Sequence, residues 1–295
     1  MQTSIGPGNR WIDVYNALQP KGLAVIGGRV ADIGVGGLAM GGGMSFFSGR
    51  YGWACDNVNT YEVVFANGSI REVTYEAYAD LYFALRGGGN NFGIVTRFDF
   101  ITFEQGDLWA GSEIYLYSNA TSRSLINALY WTLEFNSSNP GGFRQTYWAM
   151  MTKNDPMLMS EIVSIFMEET DKFKTIANIG PALVFQPSTT NLISHFSKNG
   201  ENALGITIAD GPLVLVNVVY SCSSNADDTQ IMAAARNVVN RSNTTAYAQG
   251  LGHPFIYQNY AAHDQNVFQS YGKENVAKLQ AASKKYDPTG VWQIL

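Results

Sequence analysis

Glycine is the residue type whose spacing in this sequence could do chemistry. The chain has 30 glycines, and they concentrate in residues 22–52 and again in residues 87–93. Gly34-Val35-Gly36-Gly37 and Gly41-Gly42-Gly43 provide two stretches of main chain with few Cβ atoms. A backbone that runs against a large planar or phosphorylated ligand needs such residues, because each side chain would hold the main chain away. The clusters therefore fit a dinucleotide site, although tight loops in a glycine-rich β region explain the same composition.

The common nucleotide motifs are absent from both clusters. A Rossmann fingerprint needs a strand, the spacing G-x-G-x-x-G, a helix and an acidic residue about twenty positions later. Residues 27–37 do not follow that order. No Gly-Lys-Ser or Gly-Lys-Thr follows a glycine cluster, so the sequence also lacks a Walker phosphate loop. Any dinucleotide site here must belong to another fold.

Composition narrows the function further. The 295 residues are 46% hydrophobic and 15% charged, which argues for a folded chain rather than a disordered one. A net charge of -5 with no basic block argues against nucleic-acid binding, and no apolar run is long enough to span a membrane. The two cysteines and three histidines are too scattered for a zinc pattern. We expect no metal, no nucleic acid and no membrane partner, and localisation stays open.

The pattern of elements predicts an α+β fold. Asn67-Gly68 between two β-type runs predicts a hairpin over residues 61–73, and apolar spacing predicts a helix over Tyr75–Arg86. Beyond residue 103 the chain alternates strands with helices, which predicts an antiparallel sheet covered by helices. The predicted strands are Phe92–Thr102, Leu108–Tyr117, Phe143–Thr152, Pro181–Gln186 and Pro212–Tyr220. The predicted helices are Thr121–Phe135, Pro156–Thr170, Ala226–Val239 and Lys273–Lys285.

Five segments of the sequence carry a family resemblance. They are GPGNRW (Gly6–Trp11), GLAVIGGRVADIGVGGLAMGGG (Gly22–Gly43), SFFSGRYGWACDNV (Ser45–Val58), ALRGGGNNFGIVTRF (Ala84–Phe98) and KKYDPTGVWQ (Lys284–Gln293). These segments resemble the FAD-linked oxidases of the p-cresol methylhydroxylase and vanillyl-alcohol oxidase superfamily, in particular the fungal members of its berberine-bridge-like branch. They occur in the family's order and lie toward both ends of the chain.

The resemblance implies a domain organisation and a cofactor. It implies a second FAD-binding subdomain over 1–103, a substrate domain with an antiparallel sheet over 104–254, and a return segment over 255–295 that packs on the FAD side. The residues that would contact FAD through their main chain are Gly34, Val35, Gly36, Gly37, Gly41, Gly93, Ile94 and Val95. A buried strand start explains the side chains of Ile94 and Val95 equally simply.

The sequence departs from the family pattern in two respects. In the family, a first FAD subdomain with a pyrophosphate loop and a flavin-linked histidine precedes the segment with which this chain begins. The resemblance therefore implies an incomplete FAD-binding domain, whose exposed face a second chain would cover. Val30 stands where some relatives have a cysteine that bonds to the flavin, so we expect no cysteinyl link. Cys55 is expected to be a buried structural thiol.

The resemblance also implies where a catalytic base would lie. Oxidation of an alcohol or an activated C–H bond sends hydride to the flavin and needs a base to accept a proton. Many relatives use a tyrosine near the return segment, which corresponds here to Tyr260 first and Tyr257 second. Two aromatic core residues at this spacing are the competing interpretation. Strand alternation alone allows Glu113, Tyr115, Tyr147 and His195 of the substrate domain to face a pocket.

Three functional hypotheses follow. The first is an FAD-dependent oxidase that acts on a small hydroxylated, carbohydrate or secondary-metabolite substrate, with molecular oxygen as the electron acceptor. The second is a flavin-free descendant that binds or cyclises a metabolite without redox chemistry. The third is an inactive fragment, or a subunit that pairs with a second chain supplying the rest of the cofactor site.

Overall fold

A computed structural model describes residues 1–106, 143–173, 176 and 178–294. The predicted strand Leu108–Tyr117 and helix Thr121–Phe135 lie outside these described residues, as do Glu113 and Tyr115. The chain divides into two compact units. Unit 1 contains the described residues within Met1–Trp109, Thr190–Ala209 and Phe268–Leu295, and unit 2 contains those within Ala110–Thr189 and Asp210–Val267.

The described residues form nine strands and nine α-helices. The strands are β1 Gln2–Ile5, β2 Leu23–Val25, β3 Val58–Val64, β4 Ile70–Val73, β5 Ile94–Glu104, β6 Arg144–Lys153, β7 Gly180–Ser188, β8 Leu213–Cys222 and β9 Gly252–His253. The helices are α1 Trp11–Leu18, α2 Val35–Met40, α3 Ser48–Tyr51, α4 Ala79–Leu85, α5 Pro156–Asp171, α6 Thr190–Ser194, α7 Asp228–Ala248, α8 Lys273–Tyr286 and α9 Val291–Ile294.

Unit 1 contains an antiparallel sheet in the order β1-β5-β3-β4, with β2 paired to the end of β5. The predicted hairpin is confirmed, since Val64 pairs with Ile70 across the Asn67-Gly68 turn and Gly68 adopts a φ of 77°. The helix predicted to begin at Tyr75 begins instead at Ala79. Tyr78 has a φ of 68°, a left-handed conformation that an α-helix does not continue through, so the helix starts after it.

Unit 2 contains an antiparallel sheet in the order β7-β8-β6-β9. Val214, Val216 and Val218 of β8 belong to a buried cluster with apolar residues of α5 and α7. Residues at the intervening positions of β8 point to the opposite face, because successive side chains of a strand alternate. Asp155 begins α5 as predicted, and its carboxylate accepts the N–H groups of Met157 and Leu158. The predicted α+β class with helix-covered antiparallel sheets is confirmed.

The two units divide the chain differently from the predicted boundaries. Residues 190–209, placed by the sequence in the substrate domain, belong to unit 1, and residues 255–267 belong to unit 2. A buried arginine explains the first difference. The side chain of Arg86 is fully buried, and its Nη1 donates to the carbonyls of Lys198 (2.7 Å), Asn199 (3.2 Å) and Glu201 (2.7 Å). These bonds fix the segment within unit 1.

The other groups of the Arg86 guanidinium are also paired. Its Nη2 donates to the buried carboxylate of Asp56 (3.0 Å), and its Nε donates to the carbonyl of Cys55 (3.1 Å). Asn202 donates to the same Asp56 oxygen (2.8 Å). Such a buried ion pair is tolerated when hydrogen bonds satisfy its remaining polar atoms. Among the described residues, no helix is both long and apolar enough to cross a membrane.

Candidate functional site

Within the first glycine cluster, Gly34-Val35-Gly36-Gly37 forms the start of helix α2 in unit 1. Gly34 precedes the helix, and carbonyls of the loop before α1 accept hydrogen bonds from the next two residues. The N–H of Val35 donates to the carbonyl of Asn9 (2.9 Å), and the N–H of Gly36 donates to the carbonyl of Pro7 (3.3 Å). These two amides therefore serve the fold. The phosphate groups of a nucleotide would have to find other donors.

Glycines near α2 fall into two groups. At Gly27 and Gly28, an added Cβ would lie 2.2 Å and 2.5 Å from atoms of the Trp11 ring, so packing inside the protein requires glycine. At Gly34 and Gly37 an added Cβ would meet nothing within 4 Å, and neither residue has a positive φ. Neither conformation nor internal packing explains these two glycines.

Gly34 and Gly37 lie three residues apart and are both exposed, so they share one side of α2. Side chains at these positions would project from the surface and keep a flat ligand away from the helix backbone. The two residues therefore fit a planar group such as the flavin ring. The main chain of this side of α2 would hold such a group.

The other predicted cofactor residues near α2 are buried. Val35 is fully buried, Gly36 lies against Pro7, with 3.1 Å from an added Cβ to the Pro7 Cβ, and the N–H of Gly41 donates to the carbonyl of Gly37. The buried state of Val35, Gly36 and Gly41 is explained by packing within unit 1. Their contact with FAD stays a prediction.

The second glycine cluster lies next to the first. The carbonyl of Met40, at the end of α2, accepts the N–H groups of Gly87 (3.0 Å) and Gly89 (3.2 Å). Gly93 is packed against β3, since an added Cβ would lie 2.7 Å from the Cγ1 of Val63. Ile94 is 50% exposed and Val95 is 4% exposed. Contact of these three residues with FAD also stays a prediction.

The two candidate tyrosines of unit 2 contact each other. Tyr257 is 1% exposed, and its ring packs edge-on against that of Tyr260 with the centroids 5.0 Å apart. The Nδ2 of Asn259 donates to the Tyr257 hydroxyl (2.9 Å). Tyr260 is half-buried and stacks on Tyr147 of β6 at a centroid distance of 6.3 Å. The two tyrosine rings therefore pack against each other, and the hydroxyl of Tyr257 also accepts a hydrogen bond.

A cavity of about 820 Å³ lies beside these tyrosines in unit 2. Tyr147 and Asn259, which contact Tyr260 and Tyr257, both line it. Its other lining residues include apolar Phe143, Ile231 and Met232. Arg144 and Asp228 also line it and form a bidentate pair, so their charges offset each other. The volume lies in the range of small-molecule sites.

Asn217 is a candidate functional residue that the sequence analysis missed. It lies in the middle of β8, with Ala149 and Val184 as its cross-strand neighbours, on the face opposite the helical cluster. Its side chain is fully buried, yet neither its Oδ1 nor its Nδ2 has a hydrogen-bond partner among the described residues. Buried amides without a partner are rare and costly in folded proteins. An Asn in the apolar run Leu213–Val219 is the sequence signal that could have revealed it.

Comparison with known proteins places the chain in a family. Residues 1–74 match the FAD binding domain family. The chain is 33% identical to FAD-dependent monooxygenase tpcD of Cochliobolus heterostrophus, over 98% of this chain and 70% of that protein. It is 32% identical to FAD-dependent monooxygenase FUP4 of Fusarium proliferatum, over 99% of this chain and 71% of that protein. This chain belongs to the family of FAD-linked oxidoreductases that contains these fungal FAD-dependent monooxygenases.

Solved structures agree on the fold of this FAD-linked oxidoreductase. Xylooligosaccharide oxidase from Myceliophthora thermophila C1 has a TM-score of 0.74 at 17% identity, over 99% of this chain and 76% of that one. Physcomitrella patens BBE-like 1 has a TM-score of 0.67 at 20% identity, over 98% and 76% of the two chains. The solved structures thus agree with the predicted fold, and the similar sequences and the matched FAD binding domain confirm the predicted FAD cofactor and oxidoreductase class.

One residue of the FAD-linked oxidoreductase lies in a different unit from the predicted one. His195 belongs to unit 1, where a Cβ added at Gly52 would lie 2.7 Å from the Cβ of His195. Burial and the nearby Lys198 lower the pKa of His195. The sequence analysis placed His195 in the substrate domain, whereas the Arg86 contacts hold the segment that carries it in unit 1; a pocket-facing role for His195 stays a prediction. Tyr147, predicted with it, does line the unit 2 cavity.

Neither Cys55 nor a metal-binding cluster of the described residues offers an alternative centre. Cys55 is a fully buried free thiol beside Asp56, and burial raises the pKa of its thiol well above the ordinary value. A thiol with a raised pKa is a poor nucleophile at neutral pH. Among the described residues, no group of three or more His, Cys, Asp or Glu side chains could hold a metal ion.

Proposed function

We propose that this FAD-linked oxidoreductase oxidises a small, uncharged, hydroxylated compound of the secondary-metabolite class, bound in the cavity of unit 2. The observation that carries the proposal is that two cavity-lining residues, Tyr147 and Asn259, directly contact the candidate tyrosines. A substrate in this cavity would lie close to Tyr260 and Tyr257. Offset charges at Arg144 and Asp228 favour an uncharged substrate over an ionic one.

The proposal assigns each residue a chemical task. Bound FAD would supply the acceptor for two electrons, with molecular oxygen as the final oxidant. Tyr260, as its phenolate, would accept the proton that the substrate releases and become the neutral phenol, with Tyr257 as the second candidate. Asn259 would stabilise negative charge at the Tyr257 oxygen through its existing hydrogen bond.

Two observations favour a metabolite over a carbohydrate. The names of the similar sequences include fungal FAD-dependent monooxygenases and the bifunctional solanapyrone synthase of Alternaria solani, which is 30% identical over 98% of this chain and 67% of that protein. The cavity wall formed by Phe143, Ile231 and Met232 also suits a compact apolar ring system. Xylooligosaccharide oxidase is only 17% identical to this chain, so its similarity supports the fold and carries no argument for a carbohydrate substrate.

The test is anaerobic reduction of the bound flavin by a panel of hydroxylated aromatic metabolites, with xylobiose as the carbohydrate comparison. We expect reduction by at least one metabolite and not by xylobiose. Tyr260→Phe should slow flavin reduction about 100-fold or more, the usual range for loss of a general base. Tyr247→Phe is the matched control, because Tyr247 is 54% exposed on α7. Wild-type rates in Tyr260→Phe, or reduction by xylobiose alone, would contradict the proposal.

A further inference from the structure

Two side chains hold the stretch that carries the candidate tyrosines, Phe255–Ala262, which we call the tyrosine segment. At its start, the Nδ1 of His253 accepts the N–H of Phe255 (3.3 Å). The Nε2 of the same ring lies 3.5 Å from the Oδ1 of Asp210. Because Nδ1 accepts a hydrogen bond, the proton of the neutral ring lies on Nε2, where it points toward Asp210.

The other end is held by an amide that does not titrate. The Oε1 of Gln265 accepts the N–H groups of Ala262 and Ala149, each at 3.0 Å. Its Nε2 donates to the carbonyl of Ala149 (2.7 Å), so the Gln265 side chain pairs with the edge of β6 as a strand would. Between the two ends, Phe255 and Tyr257 are each 1% exposed.

We infer that His253 is a positioning residue that holds the tyrosine segment only while its ring is neutral. Protonation places a hydrogen on Nδ1, and the N–H of Phe255 then faces a donor instead of an acceptor. The start of the segment is released in acid, whereas the Gln265 end stays bound. The consequence for catalysis rests on the proposed function, because it requires that Tyr260 or Tyr257 act on the substrate.

The surroundings of His253 set the direction of its response to pH. Burial lowers the pKa of His253, Asp210 raises it, and the field of Lys153 on β6 lowers it further, with a net shift below the ordinary value. Tyr247 of α7 packs on the neighbouring Gly252. The unfolded chain therefore takes up this proton more readily than the folded chain. The contribution of His253 to stability is complete above about pH 6.5, the ordinary histidine value, and decreases as the pH falls below it.

Hydrogen exchange of the full-length protein, read by mass spectrometry on a peptide spanning the tyrosine segment, tests the inference. Rates at about pH 5 and about pH 7.5 are compared after correction for the intrinsic pH dependence of exchange. In the wild type we expect protection of the segment to fall about 10-fold or more at the lower pH. His253→Asn supplies an oxygen that can accept the Phe255 N–H and does not titrate. Its protection should be similar at both pH values.

Gln265→Ala is the matched control, because it removes the tie that does not titrate. It should lower protection at both pH values and keep the wild-type ratio between them. Equal wild-type protection at the two pH values, or a similar fall in His253→Asn, would overturn the inference. If Gln265→Ala does not fold, the comparison of wild type with His253→Asn still decides.

The exchange experiment needs neither flavin nor substrate, so its outcome is separate from that of the Tyr260→Phe test. A pH-dependent segment combined with wild-type flavin reduction in Tyr260→Phe would keep the inference and reject the catalytic assignment. Once a reducing substrate is found, kcat should fall in acid for the wild type and less for His253→Asn.

Discussion

Two buried asparagines, one in each unit, have opposite surroundings. Asn202 in unit 1 is 4% exposed, donates to Asp56 (2.8 Å) and accepts the N–H of Leu204 (3.2 Å). Asn217 in unit 2 is fully buried, and the described residues offer its amide no partner. The free-energy cost of burying an amide is offset by described residues in the first case and not in the second.

The contrast separates buried polar groups that described residues pair from one that they do not pair. In unit 1, Arg86, Asp56 and Asn202 form a closed network whose polar atoms bond one another and the backbone. Such a network specifies the fold and leaves little capacity for a ligand. In unit 2, the amide of the fully buried Asn217 bonds no described residue, so its burial is not compensated within the part of the chain that the structure describes. We expect substitutions in the unit 1 network to lower stability, and substitution of Asn217 to leave stability unchanged or raise it.

The largest effect is expected from Arg86→Met. The substitution removes the cation but leaves Asp56 buried with a charge, and it also leaves the carbonyls of residues 198, 199 and 201 without their donor. Loss of one partner of a buried pair should lower the free energy of unfolding by about 3–5 kcal/mol, measured by urea denaturation. Arg10→Met is the control, because its pair with Asp32 is exposed, and it should change stability by about 1 kcal/mol at most. A loss in Arg86→Met no larger than that of the control would contradict a structural role for the network.

Replacement of each asparagine by leucine tests the comparison directly. Asn202→Leu should lower the free energy of unfolding by about 1–3 kcal/mol, because the Leu204 N–H loses its acceptor and Asp56 loses a donor. Asn217→Leu should leave stability unchanged or raise it by about 1 kcal/mol, since it removes an amide whose burial no described residue compensates.

The comparison would fail if Asn217→Leu proved as destabilising as Asn202→Leu. That result would mean that the Asn217 amide has a structural partner, such as an ordered water molecule.

Local sequence signals predicted the elements that depend on a few neighbouring residues. The Asn67-Gly68 turn fixes its hairpin because a positive φ at Gly68 needs no distant contact. Asp155 starts α5 by accepting two N–H groups within three residues of itself. The two glycine clusters could also be placed together, since the same family resemblance includes both.

Contacts between distant residues could not be predicted in this way. Arg86 binds carbonyls 112 to 115 positions away, and no periodicity in the sequence reports that pairing. The placement of residues 190–209, and with them His195, depends on it. Asn217 was missed for a related reason, because an unpaired amide is recognised only when its three-dimensional neighbours are known. Glycine composition alone likewise could not separate Gly34 and Gly37 from glycines that packing requires.

The smallest change in stability, and the sharpest functional contrast, is expected at the glycines of unit 1. Gly37→Ala places a Cβ in open space on a helical residue, so it should keep stability or raise it by about 0.5–1 kcal/mol. It should nevertheless weaken FAD binding, measured by flavin fluorescence during titration, because the Cβ stands where a planar ring would approach. Gly28→Ala is the matched control, since its Cβ would lie 2.5 Å from the Trp11 ring.

Overpacking in Gly28→Ala should cost about 1–3 kcal/mol, whereas its effect on FAD binding should follow only from lost stability. Gly37 and Gly28 repeat the comparison of Asn217 with Asn202, with a backbone position in place of a side-chain amide. A glycine that the protein's own packing requires is structural, and one that it does not require is available to a ligand. If Gly37→Ala binds FAD with wild-type affinity, the exposed side of α2 does not hold the flavin. The cofactor contacts would then have to be sought at Gly93 and Ile94.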